Sequence, residues 1–376
     1  MNSIIKEIQK LRRDKPYTID LKNSNRYKLV VNEGDGTKTA YCFSSPVYSK
    51  KTGKLADIKF MCDTNAACYD GTDCRVLLCD SISFESPEGV CGLVLPNTVS
   101  HICESAVLYG NVEVTPTLNG LAFKVPCGVS GMYSLVVTTV QPDMSIRAND
   151  KVFSLMLSHF KPLMSLSCIG TADSTGAIVA PCVLEHKVIN KRQYCVTVKS
   201  VGKDGKYMIF EANMHQPKLF QDTTVESNNP KTNNAFGTTA FIGNTDTYGE
   251  QWLYSRPELA LISELFYESI NSVVMHIPQL NKAEVPLSAY GVANRFCSFG
   301  SNWENKISSK GEIAEPNLSA GYYSVDVTEL MTRKGTKHLD ITEGLIIRPQ
   351  KRDAEFATIA TGDGCYAMQI LEINYN

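Results

Sequence analysis

Several things are scarce in this chain, and each scarcity removes a class of protein. Tryptophan occurs twice in 376 residues, as Trp252 and Trp303, fewer than a dedicated glycan binder often displays. No apolar run approaches the ~20 residues that a bilayer-spanning helix needs, so no membrane helix is expected. The opening Met1-Asn2-Ser3-Ile4-Ile5-Lys6-Glu7 lacks the continuous apolar stretch of a secretory signal. The expected site of synthesis is the cytoplasm, with any exit by a route that needs no cleaved signal. An excess of one charge sign is missing too: 37 Lys and Arg against 39 Asp and Glu leave a net −2. That balance offers nucleic acid or an anionic membrane little attraction. The basic cluster Lys10-Leu11-Arg12-Arg13 is no larger than an ordinary solvated helix face. The G-x-S-x-G elbow, the G-x-x-x-x-G-K-[ST] phosphate loop and the H-E-x-x-H helix are all absent. No internal repeat is evident.

What is present fits a folded protein. A hydrophobic fraction of 43% with 20% charged residues is enough to build cores. A chain of 376 residues exceeds one ordinary core, so two or three domains are expected. Cysteine is plentiful, with thirteen residues. Without a secretory signal these read as free thiols that behave as small buried hydrophobes. The densest group, Cys62, Cys68, Cys74 and Cys79, has intervals of six, six and five. Only Cys74 and Cys79 approach the spacing of a zinc knuckle, and no second knuckle completes a site. Neither metal nor cofactor is expected.

Along the chain, Ile4, Ile5, Ile8 and Leu11 fall on one face at near-helical spacing, and Pro16 closes the segment. So short a helix is marginal alone and needs a partner surface, either its own domain or a neighbouring subunit. From Tyr17 the period becomes two, with Tyr17, Ile19 and Leu21 alternating with polar residues. Tyr27–Val31 then runs into the turn Gly34-Asp35-Gly36. A second hairpin joins Tyr194–Val198 to Tyr207–Phe210 through Lys203-Asp204-Gly205-Lys206, and Leu135–Val140 and Val152–Leu157 read as further strands. In Tyr322–Thr328, Tyr323, Val325 and Val327 point to a core while Tyr322, Ser324 and Asp326 point to water. The closing strand sets Leu371, Ile373 and Tyr375 against Glu372 and Asn374. Ser255-Arg256-Pro257-Glu258 has the form of a capping box before Leu259, Ile262, Leu265 and Phe266 on a helix face, although strand-like Val273–Ile277 follows.

These signals predict an all-β protein of tandem antiparallel β-sandwich, jelly-roll-like domains preceded by a short N-terminal helix. The expected division is a helix over 1–16, a sandwich region over 17–224 (one large domain or two small ones, with Gln141-Pro142-Asp143 a candidate break), a polar linker over 225–234, and a sandwich over 235–376.

The last part of the chain carries Phe236–Gly243, the strand at Val273–Ile277, Trp303, Asp326-Val327-Thr328, Gly344–Arg348 and Leu371–Tyr375 in order. This succession resembles the DNRLRE-type domain, a β-sandwich related to carbohydrate-binding modules. The charged signature that names the family is not evident near Tyr254–Pro257. The block Ala40–Pro46 with Thr52–Ile58 is similar to N-terminal β domains of phage structural proteins. The resemblance implies a fold and a role in attachment or assembly, and carries no catalytic residues.

On the resemblance and the missing motifs, the expected function is that of a non-enzymatic virion structural protein: a head fibre, decoration or tail-associated protein. Its expected partners are copies of itself (a trimer is one such homo-oligomer) and other virion proteins, with Ile4, Ile5, Ile8 and Leu11 as the docking or oligomerisation face. The alternative is a carbohydrate-binding protein. Trp303 would stack on a sugar of a cell-surface glycan, Glu304 and Asn305 would bind its hydroxyls, and Tyr322 would add aromatic surface. Tryptophan at such a position also serves as a core anchor. A hydrolase would need two facing carboxylates, and Glu304, Glu312, Asp326, Asp340 and Glu343 are available without a pattern that pairs them. Asp326 reads as solvent-facing or turn-binding. His101 and Cys103 would share a strand face, but a thiolate needs a base held by a third group. Asp363 between two glycines reads as a turn.

Overall fold

The computed structural model describes residues 3–12, 15–49, 52–58, 61–62, 66–72, 75–79, 82–86, 89–94, 99–103, 106–110, 112–118, 120–126, 132–139, 147–148, 166–171, 182–189, 192–204, 207–214, 219–232, 234, 239–246, 248–298, 300–340, 342–351, 355–362, 364 and 367–376. The chain is all-β, built from antiparallel sheets with one short N-terminal helix. It forms two units: unit 1 comprises Met1–Tyr48, Lys218–Asp363 and Ala367–Asn376, and unit 2 comprises Ser49–Pro217 and Gly364–Tyr366.

Unit 1 is a sandwich of two sheets. Its elements are α1 (Ser3–Arg12), β1 (Tyr17–Ile19), β2 (Lys28–Glu33), β3 (Lys38–Phe43), β4 (Phe220–Glu226), β5 (Thr239–Thr245), β6 (Gly249–Pro257), β7 (Ile270–Pro278), β8 (Leu287–Val292), β9 (Ser309–Ala314), β10 (Asn317–Ser319), β11 (Tyr322–Asp326), α2 (Thr328–Met331), β12 (Leu345–Pro349), β13 (Phe356–Ala360) and β14 (Ile370–Tyr375). The first sheet runs β1-β2-β3-β14-β7-β11-β10. The second runs β9-β8-β12-β6-β5-β13, with β4 also paired to β6. Side chains that alternate along each strand meet between the sheets. Val30, Ala40, Met275, Val325, Leu371 and Ile373 come from the first sheet; Ile242, Leu253, Leu287, Ala289, Ile347 and Ile359 come from the second. Each fully buried Val, Leu, Ile or Met side chain among these contributes about 1.5–3 kcal/mol. Tyr323, Val325, Val327, Leu371, Ile373 and Tyr375 are all buried, as their period-two spacing predicts. The β2–β3 hairpin also forms as expected, with Gly36 at φ +93° in the left-handed region that its turn requires.

The structure departs from the sequence reading in four ways. β14, the last strand, lies between β3 and β7, so residues 235–376 share a sheet with residues 17–43 and are no self-contained domain. The polar stretch 225–234 is no linker between domains. Val225 and Glu226 end β4, paired with Trp252 and Gln251, and Ser227 and Asn228 bond to the β5–β6 hairpin. The capping box is overridden, because β6 continues through Pro257, opposite Phe220. A kinked 3-10 helix over Leu259–Tyr267 follows it, burying Leu259, Ile262 and Leu265. Ile19 and Leu21 are exposed, not inward-facing.

Helix α1 covers part of the outer face of the first sheet. Ile4 and Ile8 are buried and Ile5 and Leu11 half-buried. Buried Arg12 donates two hydrogen bonds to the Glu33 carboxylate, at 2.6 and 2.7 Å, and a longer one to the Tyr41 hydroxyl. Its guanidinium also lies 4.6 Å from the centre of the Tyr17 ring. Tyr322, read from sequence as facing water, is buried and donates its hydroxyl to Glu7 of the helix at 2.6 Å.

Unit 2 holds fifteen strands among the described residues, joined in one antiparallel sheet over 61–214. Tyr69, Val76, Leu78, Val107, Tyr109 and Leu121 are buried in it. The predicted hairpin is present, with Asp204 opposite Tyr207, and the strand at Leu135–Val140 forms as Met132–Thr139. The expected strand Val152–Leu157, the break at 141–143, Cys74 and Asp363 lie outside the described residues.

Candidate functional site

The outer face of the second sheet in unit 1 carries a row of aromatic and cationic side chains. Its origin is the alternation of three adjacent strands. In β6, Leu253 points into the sandwich while Trp252 and Tyr254 point out. In β12, Leu345 and Ile347 point in, and Ile346 and Arg348 point out. In β8, Leu287 and Ala289 point in, and Tyr290 points out. The unbroken apolar run Leu345-Ile346-Ile347 is what a strand buried on both faces requires.

The segment between β8 and β9 packs over this face. Phe296 is buried against Tyr254, their rings edge to face at 5.7 Å, and the Tyr254 hydroxyl donates to the Ile307 carbonyl at 2.7 Å. Burial pushes the Tyr254 phenol up, and the charge of Arg348 partly offsets this. Gly344, at φ +113°, lets β12 begin beneath Phe296. A side chain there would meet the Phe296 ring at 2.8 Å and the Ser255 carbonyl at 2.9 Å.

Trp303 sits on the same segment, its ring 5.1 Å from that of Trp252 and tilted by 56°. The Lys306 ammonium lies 4.0 Å from the centre of the Trp303 ring and 5.6 Å from that of Trp252. The Arg348 guanidinium lies 3.9 Å from the Tyr290 ring and 5.3 Å from Trp252. The result is a series Tyr290–Arg348–Trp252–Lys306–Trp303 in which cations alternate with π faces. Trp252 donates its indole N–H to Glu250 at 2.9 Å, and Lys306 donates to the Trp303 carbonyl at 3.1 Å. The Arg348 side chain has no hydrogen-bond acceptor among the described residues, and all five ring and cation side chains of the series are half-buried.

The sequence-predicted glycan residues divide between two places. Trp303 and Glu304 belong to this region, Glu304 being exposed. Asn305 is adjacent, but its amide is spent on the turn: it accepts from the Asn302 N–H at 2.7 Å and donates to the Gly300 carbonyl at 2.8 Å. Tyr322 lies in the first sheet and is no part of it, since its hydroxyl is held by Glu7. Burial and the Glu7 carboxylate push that phenol well above its ordinary range. Trp252, Tyr290, Lys306 and Arg348 complete the row and were not singled out by sequence. Their spacing shows only that each strand alternates.

A second polar group lies on the outer face of the first sheet. Nδ1 of His276 is 2.8 Å from the Ser324 hydroxyl, and Nε2 is 3.0 Å from Glu372. The order of groups is that of a hydroxyl nucleophile, a base and an orienting acid. Yet β11 is paired on both sides, to β7 and β10. The N–H groups beside Ser324 serve the ladder on both sides, not an oxyanion. Side by side on neighbouring strands, the three residues satisfy one another as a cross-strand polar pairing does.

Elsewhere Asp326 binds a turn, accepting from the N–H and hydroxyl of Thr328. His101 and Cys103 are both exposed. Burial pushes the Cys42 thiol up to about 12, as suits an inert core thiol. Among the described residues, no group of three or more His, Cys, Asp or Glu is placed to hold a metal ion, and no helix is long and apolar enough to cross a membrane. Compared with protein-family models and with curated proteins, the chain matches none. The resemblance to the DNRLRE-type domain therefore rests on the residues that suggested it.

Proposed function

We propose that the chain is a non-enzymatic structural protein of a virion, a head-fibre, decoration or tail-associated component that acts in assembly or surface attachment. The observation that carries this reading is that unit 1 is closed by its own residues on both sides of the stretch of chain that forms unit 2. Leu219, just after the return, donates its N–H to the Ser44 carbonyl at 3.1 Å, and Ser44 in turn bonds to the Gln369 carbonyl at 2.9 Å. Both ends of the chain are meanwhile held in one sheet, where β3 pairs with β14. Such a base closes on itself whatever its inserted module does, which suits a part that packs in an assembly while carrying a second module. Assembly would then use surfaces that the fold leaves open; on α1 these are Ile5 and Leu11, since Ile4 and Ile8 are already buried.

Native mass of the purified full-length chain by light scattering, over a range of concentrations, tests the reading. A closed homo-oligomer such as a trimer supports it, because symmetric assembly is how such parts are built. A monomer at every concentration counts against it.

The second reading, carbohydrate binding by unit 1, is favoured by the row of aromatic side chains at Trp252 and Trp303. It predicts that Trp303→Ala abolishes glycan binding without unfolding the unit.

A further inference from the structure

We infer that the row Tyr290–Arg348–Trp252–Lys306–Trp303 is a recognition site for an acidic saccharide, with the Arg348 guanidinium as the carboxylate-binding group. The inference rests on the carbohydrate-binding reading and sharpens it by naming the charge class of the sugar.

A neutral sugar needs a bare ring face on which to stack. Here Lys306 stands 4.0 Å over Trp303, and Arg348 stands 3.9 Å over Tyr290. What these faces leave available is the cations themselves. The Arg348 guanidinium packs over the Tyr290 and Trp252 rings, and its side chain meets no hydrogen-bond acceptor among the described residues although it is half-buried. A planar fork held in this way matches a carboxylate bidentately. Lys306 supplies a second positive charge near the same indole, within 5.6 Å of its centre. The Glu250 carboxylate accepts the Trp252 N–H at the edge of that indole.

The position in the sheet favours a saccharide over an acidic peptide. β6 and β12 are internal strands, and β8 is paired on both sides. An extended peptide that binds a sheet draws its affinity from main-chain bonds to an open edge, and none is offered here. A sugar acid needs only side chains: an N–H fork for its carboxylate and a donor such as the Lys306 ammonium for its hydroxyls.

The test is isothermal titration of the full-length protein with three probes: a tetramer of galacturonic acid, the same tetramer with its carboxyls reduced to alcohols, and an acidic peptide of equal charge. Binding of the acid tetramer at least tenfold tighter than either of the others is expected. Arg348→Gln should weaken it tenfold or more, and Arg348→Lys, which keeps the charge and loses the fork, by a smaller factor. A near-ultraviolet spectrum like that of the native protein shows that each variant is folded. Equal binding of the acid and neutral tetramers would overturn the charge assignment while leaving a glycan site standing. Binding of no saccharide would overturn both readings. Tighter binding of the peptide would replace the saccharide with a protein partner.

Discussion

The two outer faces of the sandwich in unit 1 carry charge in opposite ways. On the first sheet polar groups under or beside α1 find partners inside the protein: Arg12 meets Glu33, Glu7 meets the Tyr322 hydroxyl, and His276 lies between Ser324 and Glu372. On the second sheet Arg348 and Lys306 are held by aromatic rings and, among the described residues, are paired with no carboxylate. A buried charge left alone costs several kcal/mol, so a fold satisfies it. A half-buried cation stacked on aromatic rings loses less and keeps its hydrogen-bonding capacity for something outside. The first face reads as fastening, the second as reception.

The difference can be broken first at its strongest point. Arg12→Ala removes one partner of the buried pair and leaves Glu33 facing a cavity. The loss expected is about 3–5 kcal/mol. Both tryptophans belong to unit 1, so urea unfolding followed by tryptophan emission reports that unit apart from the other. An Arg12→Ala protein as stable as the native one would mean that α1 is not fastened as described.

Next in size is Gly344→Ala, at the start of β12. The new methyl would meet the Phe296 ring and the Ser255 carbonyl, at a backbone angle that L-residues rarely adopt. A loss of about 2–3 kcal/mol is expected from strain and displaced packing. The same emission should shift, because Phe296 lies on the segment that brings Trp303 to Trp252.

How far these faces could be read from the sequence depended on range. Strands whose meaning is local were legible: the alternation of Tyr323, Val325 and Val327, that of Leu371, Ile373 and Tyr375, and the Gly34–Gly36 turn all describe what the chain does. Tyr322 was misread because its own strand cannot reveal that Glu7, 315 positions away, covers it. The two-unit nesting was hidden for the same reason, since nothing in the composition of residues 38–43 announces pairing with residues 370–375. The capping box at Ser255 was a sound local signal, but pairing of β6 with β4 overrode it, as tertiary context does. Trp303 drew notice through its rarity. Its neighbours Trp252, Tyr290 and Arg348 come from three strands whose order in the sheet, β8-β12-β6, differs from their order in the chain. No window of sequence contains that row.

Acid should sharpen the contrast between the faces. The Arg12 guanidinium, with help from Thr39, holds the Glu33 carboxyl below its ordinary value, against burial, which raises it. A carboxyl lowered on folding contributes stability that is complete above its unfolded pKa of about 4.3. That contribution is lost as pH falls through the lowered folded value. Glu33→Gln should therefore cost about 1–3 kcal/mol at pH 7, and the gap from the native protein should close progressively below about pH 4. Urea midpoints at pH 7, 5, 4 and 3 measure it; a gap that stays constant would show that the Glu33 charge does not hold the helix.

The smallest expected change in stability is at Arg348, and its smallness is what separates the two faces. Glutamine there removes stacking on Tyr290 and Trp252, worth about 0.5–1 kcal/mol for a partly exposed cation, and leaves no carboxylate stranded. Arg348→Gln should thus unfold within about 1 kcal/mol of the native protein, several-fold less than the cost at Arg12. A loss as large as that at Arg12 would mean that Arg348 fastens the segment over the sheet, and the second face would then be built like the first. A small loss, with acidic-saccharide binding gone, leaves one consistent account. The fold spends Arg12 on its own stability, and it holds Arg348 against aromatic rings at little energetic consequence to itself, with no carboxylate among the described residues paired to it.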